Sequence, residues 1–396
     1  MKKFLLLTLG PVNVAGNVRL AVCKDDICHR ETDFSDLLQS IENKLLRLFE
    51  IRNVSDYRAV VITGSGTASN EAILSSVVGN KKILILSNGE FGERLHHISA
   101  IHNKNTFLLE IPWGNVLDLG KVEAYLQNHE VDILMMVHHE TSSGMLNSLA
   151  DIGALCFRYG TMFIVDGVSS VGAEVIDMEK HHITFCSGSS SKAVASYPGL
   201  SFVVGRTSAL ENLKNMPQQS TYLNLYRYYQ FIKNISQTPN TPAVPLFYAL
   251  EQALDNILLE GLAHRCVDLK YKAKFLRQGM SNLGLKFLIG QRDMCSVLTT
   301  VLIPSHIDLG IFRQKLREKS IIIYEGKGCL NGRVFQVGNI GELSLDDLQF
   351  FLDALGEVLL SFDRLSTGII GTIIKPVPTF LKECLEGEDQ EAPATA

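Results

Sequence analysis

From residue 57 onward the chain alternates short runs of β-branched and aliphatic residues with longer stretches whose apolar residues recur at three- and four-residue steps. This alternation restricts the fold more than any other feature, because strands separated by helices join in parallel and are covered on both faces. Strands are expected at 58–62, 82–86, 106–111, 133–137, 162–165, 183–186 and 200–204, with helices between them such as 67–78, 119–128 and 149–159. The expected fold class is therefore α/β, with a mostly parallel, doubly wound sheet. With 396 residues, 46% of them hydrophobic, the chain can bury such a sheet, and whole-chain disorder is excluded.

Past residue 240 the texture changes. Two long helical patterns at 243–260 and 262–284 precede strands expected at 299–303 and 321–324. A closing helix starts at Ser344, with Asp347 three residues on in a capping-box arrangement, and runs towards Leu360. The chain thus reads as an N-terminal arm at 1–20, a large α/β domain at 21–259, a smaller C-terminal α+β domain at 260–365 and an extension at 366–396. The extension ends in an acidic stretch without apolar periodicity, expected to be a disordered tail.

Charge and cysteine usage narrow the function. Lys and Arg number 37 against 42 Asp and Glu, a net charge of −5, of which residues 382–396 supply −4 through five acids and one lysine. The body is nearly neutral, so no nucleic-acid partner is expected. The eight cysteines are scattered without a C-x-x-C pair, which fits free thiols in a reducing cytoplasm. The opening Met1-Lys2-Lys3 and the apolar residues behind it resemble a signal peptide, yet Gly10-Pro11 breaks the run at once. No window approaches the roughly 20 apolar residues of a membrane-spanning helix, so a cytoplasmic protein without membrane contact is expected.

Four features fall at strand ends, where an α/β sheet presents its functional groups. Gly64-Ser65-Gly66-Thr67-Ala68-Ser69 follows one strand and opens a helix. It suits a phosphate, because glycines admit the anion and a helix start offers unpaired N–H groups, although an ordinary tight turn reads equally well. Asp166 ends the apolar strand 162–165, where a carboxylate needs either a cation or a capping role. Lys192 lies among small residues after the strand at 183–186; a solvated surface lysine is the plain alternative to a desolvated amine able to form a Schiff base. The 26-residue step from Asp166 to Lys192, each at a strand end, favours the second reading. The run His138-His139-Glu140-Thr141-Ser142-Ser143-Gly144 invites a metal, but neighbouring side chains on extended backbone point to opposite faces and no third ligand is spaced to join them. No metal is expected, and the hydroxyls suit an oxygen of an aromatic cofactor.

An aspartate, a later lysine and a Gly-Ser loop in this order resemble the class V branch of the fold-type I aminotransferases, over about residues 7 to 362. Further motifs carry the likeness: Gly10-Pro11, Asp26-Ile27-Cys28-His29-Arg30-Glu31, Ser87-Asn88-Gly89-Glu90-Phe91-Gly92 and Gly338-Asn339-Ile340-Gly341. Within that branch the chain is most similar to the 2-aminoethylphosphonate:pyruvate aminotransferases, then to the alanine:glyoxylate and serine:pyruvate aminotransferases. The resemblance implies a pyridoxal 5'-phosphate cofactor, Lys192 as Schiff-base lysine and Asp166 as partner of the ring nitrogen. It also implies Gly66, Thr67 and Ala68 as phosphate loop, Phe91 stacked on the ring and Thr141 near its phenolic oxygen. Thr238 and Thr241 match positions that reach the phosphate in the neighbouring subunit, which implies a homodimer with shared active sites.

Gly10, Arg30 and Gln336 take positions of substrate-binding residues, and Gln336 departs from the family. Where the family has an arginine that binds the substrate carboxylate, this chain reads Phe335-Gln336-Val337-Gly338. A neutral amide cannot form the bidentate, charge-assisted pair of a guanidinium. Arg333 or Arg30 would have to replace it, or the substrate differs. A second departure is Leu9 in place of the proline usual before Gly10-Pro11. The implied activity is transamination of a small amino compound, a 2-aminoethylphosphonate-like or small amino acid donor, with a keto acid acceptor. The alternatives are a lyase or other elimination enzyme on the same scaffold, and a binding protein without catalysis. Retention of both Lys192 and Asp166 argues against the last.

Overall fold

A computed structural model of the chain describes residues 4–367. The acidic stretch expected as a tail, with Cys384 and the first three residues, lies outside the described residues. We number the strands of the two larger sheets in chain order. The first sheet contains β1 (Tyr57–Thr63), β2 (Ile83–Ser87), β3 (Thr106–Glu110), β4 (Ile133–Val137), β5 (Met162–Asp166), β6 (Ile183–Ser189) and β7 (Leu200–Arg206), in the spatial order β1-β7-β6-β5-β4-β2-β3. Its interior pairs β3·β2, β2·β4, β4·β5 and β5·β6 are parallel, while β7 runs antiparallel to both of its neighbours. All seven expected strands form, within three residues of the expected ends, and the sheet is mostly parallel as the alternation implies.

The physical cause is visible strand by strand. Every residue of β2 and of β4 is buried, as unbroken apolar runs require when helices cover both faces. The edge strand β3 is the half-exposed exception. Helices Gly66–Val77, Leu119–Asn128 and Leu149–Arg158 form where expected. Two of them start on side-chain caps: Asp118 accepts from the Lys121 N–H at 3.1 Å and Ser148 from the Asp151 N–H at 3.3 Å.

A second sheet holds β8 (Lys286–Phe287), β9 (Leu298–Leu302), β10 (Tyr324–Glu325) and β11 (Val334–Gly338) in the order β8-β9-β11-β10. Two features differ from expectation. The strand expected at 321–324 divides between sheets: Ile321–Ile322 pairs in parallel with Leu5–Leu6, and Tyr324–Glu325 pairs with β11. Strand β11, which carries Gln336, has no clear alternating pattern because all five of its residues are buried. The closing helix Leu345–Thr367 starts on the expected box, with Asp347 N–H donating to Ser344 Oγ and Ser344 N–H to Asp347 Oδ2 at 3.1 and 2.9 Å.

Two large apolar cores result, with a third, smaller cluster that joins Leu9, Ala193, Leu269, Val297 and Ile340. The larger of the two is built on β1, β2 and β4–β7 and their helices; the other joins Leu276, Phe312, Phe335, Phe351 and Leu355 with Leu7 from the N-terminal segment. Because β1, β2, β4, β5 and β6 point the same way, their carboxyl ends share one edge, and the four sequence features converge there.

Candidate active site

Lys192 occupies a tightly wired turn after β6. The Ser190 hydroxyl donates to the carbonyls of Tyr197 and Leu200 at 2.6 and 2.9 Å, and the Ser196 N–H to the Ser190 carbonyl at 2.8 Å. Gly10 lies against this turn at φ +141°, where a Cβ would stand 2.9 Å from the Ser191 carbonyl oxygen and 3.3 Å from Lys192 Cγ. Only glycine serves there. The half-buried Lys192 amine lies 5.7 Å from the centre of the Phe91 ring and makes no ion pair within 4.0 Å among the described residues. Burial lowers its pKa to about 8; Asp166 and Glu140 act in the opposite sense, and Lys327 and Arg94 reinforce the fall.

Asp166 closes β5 and is 5% exposed. Asn70 Nδ2 donates to its Oδ2 at 2.7 Å, and its Oδ1 accepts from the Val168 N–H at 2.9 Å and the Ser187 hydroxyl at 3.5 Å. Burial raises its pKa, and these donors, with Lys192, oppose the rise. No cation pairs with it within 4.0 Å among the described residues. A buried carboxylate and a largely desolvated amine therefore feel each other without touching. Asn70 escaped the sequence reading, yet it lies on the helix that the Gly66 loop opens and is bonded to Ser187 at 2.6 Å.

At that loop the Ala68 N–H already donates to the Ser65 carbonyl at 2.8 Å, which leaves the N–H groups of Gly66 and Thr67 as its open donors. A Cβ on Gly66 would stand 2.5 Å from a Val168 methyl, so glycine is needed where β5 and this helix meet.

Glu140 is fully buried and serves the helix Glu90–His102 rather than a metal. It accepts from the N–H groups of Phe91 and Gly92 at 3.3 and 3.1 Å and from the Ser142 hydroxyl at 2.6 Å, fixing the position of Phe91. Burial raises its pKa against these donors. His138 and His139 bond to Ser170 Oγ and the Ser169 carbonyl at 2.9 and 3.4 Å, and burial holds both near a pKa of 3, hence neutral. Thr141 is buried beside them, and its hydroxyl has no partner among the described residues.

The implied substrate residues divide into two places. Gln336 is 5% exposed, and its Nε2 donates to the carbonyls of Thr141 and Ser142 at 2.8 and 3.1 Å and to Thr300 Oγ1 at 3.2 Å. Its donors are fully occupied within the protein. Arg30 belongs elsewhere: its Nη1 donates to the Thr238 carbonyl at 2.8 Å and to Gln237 Oε1 at 3.2 Å. Thr238 is buried with its hydroxyl on the Asn240 carbonyl at 2.9 Å, whereas Thr241 is exposed. No hydrogen bond among the described residues joins Arg30, Thr238 or Thr241 to Lys192, Asp166 or Gln336, and Arg333 is exposed.

The sequence reading also missed two cations. The Arg94 guanidinium carbon and the Lys327 amine lie 4.6 and 5.2 Å from the centre of the Phe91 ring. No spacing rule connects residues 94 and 327; only the fold does.

Comparison with known proteins bears on this arrangement. The family model described as aminotransferase class-V matches residues 17–344. A 2-aminoethylphosphonate–pyruvate transaminase of Lysinibacillus sphaericus is 30% identical, covering 91% of this chain and 98% of that protein. An uncharacterised aminotransferase of Methanocaldococcus jannaschii is 32% identical over 86% of this chain and 88% of its own. Among solved structures, an alanine–glyoxylate aminotransferase from Nostoc sp. superposes with a TM-score of 0.86 at 28% identity, covering 91% of this chain and 96% of the other. These relatives favour transamination over the lyase chemistry left open above. The chain belongs to the class V aminotransferases, pyridoxal-phosphate-dependent enzymes of fold type I.

Proposed function

We propose that this aminotransferase takes its amino group from a small donor whose anion is not an α-carboxylate, a compound of the 2-aminoethylphosphonate kind, and passes it to a keto acid whose carboxylate the site binds weakly. The observation that carries this reading is Gln336, whose amide is bonded to two backbone carbonyls and a threonine hydroxyl and offers a carboxylate nothing.

The residues present fit the cofactor. Asp166 and Lys192 are held apart with no ion pair between them, Gly10 keeps open the space that a side chain would fill beside Lys192, and Gly66 and Thr67 present unpaired N–H groups. When bound, pyridoxal 5'-phosphate supplies an aldehyde that carries the amino group and a protonated ring that accepts electrons. Asp166, positioned by Asn70 and Ser187, holds a proton at the ring nitrogen. The N–H groups of Gly66 and Thr67 bind the phosphate. Phe91, fixed by Glu140, would cover the ring and keep water out, and the Thr141 hydroxyl would orient it. Lys192 Nζ would be the covalent anchor and would move the proton taken from the substrate carbon; a pKa of about 8 suits both tasks near neutral pH.

The active form is a homodimer in which Thr241, and the turn that Arg30 holds through Thr238, complete the phosphate site of the neighbouring subunit. The exposure of Thr241 and the tie from Arg30 to that turn support this. Mixing inactive Lys192→Ala subunits with inactive Thr238→Ala/Thr241→Ala subunits then restores partial activity in heterodimers. The two larger apolar cores support a division into a large and a small domain near residue 260, with a third cluster bridging them. A cytoplasmic location accords with seven free thiols among the described cysteines.

Purified enzyme is tested with 2-aminoethylphosphonate, alanine and serine as donors against pyruvate, glyoxylate and 2-oxoglutarate. Products and the cofactor's visible absorbance are followed together. Preference for the phosphonate donor supports the reading, and equal or better use of alanine overturns it.

A further inference from the structure

Replacing the family's arginine by Gln336 leaves that position without its usual fixed positive charge, and the structure gathers other cations around the Phe91 ring. Strand β10 pairs with β11 so that Tyr324 lies opposite Gln336 in the register. Lys327 follows Tyr324 by three residues, in the segment Gly326-Lys327-Gly328. This segment is anchored on both sides of the site. On one side the Tyr324 hydroxyl donates to the Gly10 carbonyl at 2.8 Å, and Gly10 packs against Ser191 and Lys192. On the other, Gly328 sits at φ +49° on Trp113, where a Cβ would stand 2.6 Å from the indole, and the Trp113 N–H donates to Glu93 at 2.6 Å. Glu93 is on the helix that carries Phe91 and Arg94. The position of Lys327 is therefore set by contacts that reach both the Lys192 turn and the Phe91 helix.

The charges around the Phe91 ring do not cancel. The amines of Lys327 and Lys192 lie 5.2 and 5.7 Å from its centre, and the Arg94 guanidinium 4.6 Å. Glu90 pairs with Arg94 and lies 3.6 Å from the Lys327 amine, so one carboxylate faces two fixed cations. The other two carboxylates nearby already have donors, Glu93 the Trp113 N–H and Glu140 the helix N–H groups. The Lys327 side chain is 50% exposed, so its amine is accessible to an incoming anion. The Phe91 ring is the common neighbour of both cations and of the Lys192 amine.

We propose that Lys327, assisted by Arg94, receives the anionic group of the donor in place of the arginine lost at position 336. The ligand chemistry is a tetrahedral phosphonate or phosphate dianion, which gains from two converging cations and does not need the planar fork that a carboxylate matches. The inference rests on the reading of the chain as a transaminase of an anion-bearing amine and names the residues that sense the anion. It makes Lys327 a specificity-determining residue.

The test compares 2-aminoethylphosphonate with n-propylamine as donors in wild type, Lys327→Gln and Lys327→Arg holoenzyme. Binding of methylphosphonate to the same holoenzymes is measured by calorimetry. In Lys327→Gln the preference for the phosphonate donor, as a ratio of kcat/KM values, falls by about tenfold or more, the methylphosphonate Kd rises in step, and Lys327→Arg recovers most of both. A uniform loss with both donors, or methylphosphonate binding indifferent to residue 327, overturns the inference. The two failures are distinguishable. If methylphosphonate binds through Lys327 but no phosphonate donor turns over, the functional reading falls and the anion site stands. If 2-aminoethylphosphonate is a good donor whatever occupies position 327, the anion site falls and the reading stands.

Discussion

The two walls of the site are built differently. On the large-sheet wall, Asp166, Lys192, Gly66 and the turns around them are tied by short hydrogen bonds to strand ends that are themselves buried. On the small-sheet wall, Gln336 is locked into backbone contacts while Lys327 stands half in solvent on a glycine-flanked segment. The residues proposed for the shared chemistry thus lie where the parallel sheet dictates geometry, and those proposed for substrate choice lie on and beside the short antiparallel strands. The difference teaches where to look for divergence in such an enzyme.

Breaking the large-sheet wall has the largest effect. Lys192→Ala removes anchor and proton carrier together, and turnover falls by at least about 10³-fold while the fold persists. Loss of the borohydride-sensitive visible absorbance accompanies it, and near-wild-type rates would refute the role. Asp166→Ala follows, with a loss of about a hundredfold or more in kcat, because an unprotonated ring is a poor electron acceptor. If only Tm moved while kcat held, Asp166 would be a structural cap.

The small-sheet wall is sharpened by a gain. Gln336→Arg raises kcat/KM for alanine or pyruvate by roughly tenfold to thirtyfold and impairs the phosphonate donor, the range that one desolvated charge-assisted pair supplies. Steady-state kinetics with pyruvate, glyoxylate and 2-oxoglutarate check this. Tight pyruvate binding by the wild type would mean that another arginine holds the carboxylate, although Arg30 is bonded to Gln237 and Thr238 and Arg333 is exposed.

Between the walls, Glu140→Ala orphans the N–H groups of Phe91 and Gly92 and lowers stability by about 1–3 kcal/mol in denaturant unfolding. It also weakens cofactor retention, which a residue of purely structural role would leave alone.

The smallest effect is a displaced titration. Burial disfavours the charged Lys192 amine, so its proton leaves at about pH 8 instead of 10.5. The rate at which apoprotein reacts with pyridoxal 5'-phosphate should rise through about pH 8 and then level, whereas an ordinary lysine would keep gaining up to its own pKa. Asp166→Asn removes a charge that favours the protonated amine, and the midpoint moves down.

Much of this was legible beforehand because strand periodicity and strand-end residues are local properties. Seven strands, the Ser344–Asp347 box and the placement of Gly66, Asp166 and Lys192 at one sheet edge all follow from runs of a few residues. The roles attached to those residues came from family resemblance, and Gln336 was already visible as a departure. Hidden from the sequence were Asn70 behind Asp166, Glu140 as the brace of Phe91, and Lys327 with Arg94 beside the same ring. Each depends on segments far apart in the chain meeting at set distances.

By itself, then, the sequence determined the α/β class and the aspartate–lysine pair, since burial pattern and residue type suffice for both. Only the tertiary structure decided that Gln336 has no donor left for a substrate and that Lys327 lies three residues beyond its register partner. Hydrogen-bond saturation and charge balance belong to assembled neighbours, and those neighbours exist only once the two sheets have closed on each other.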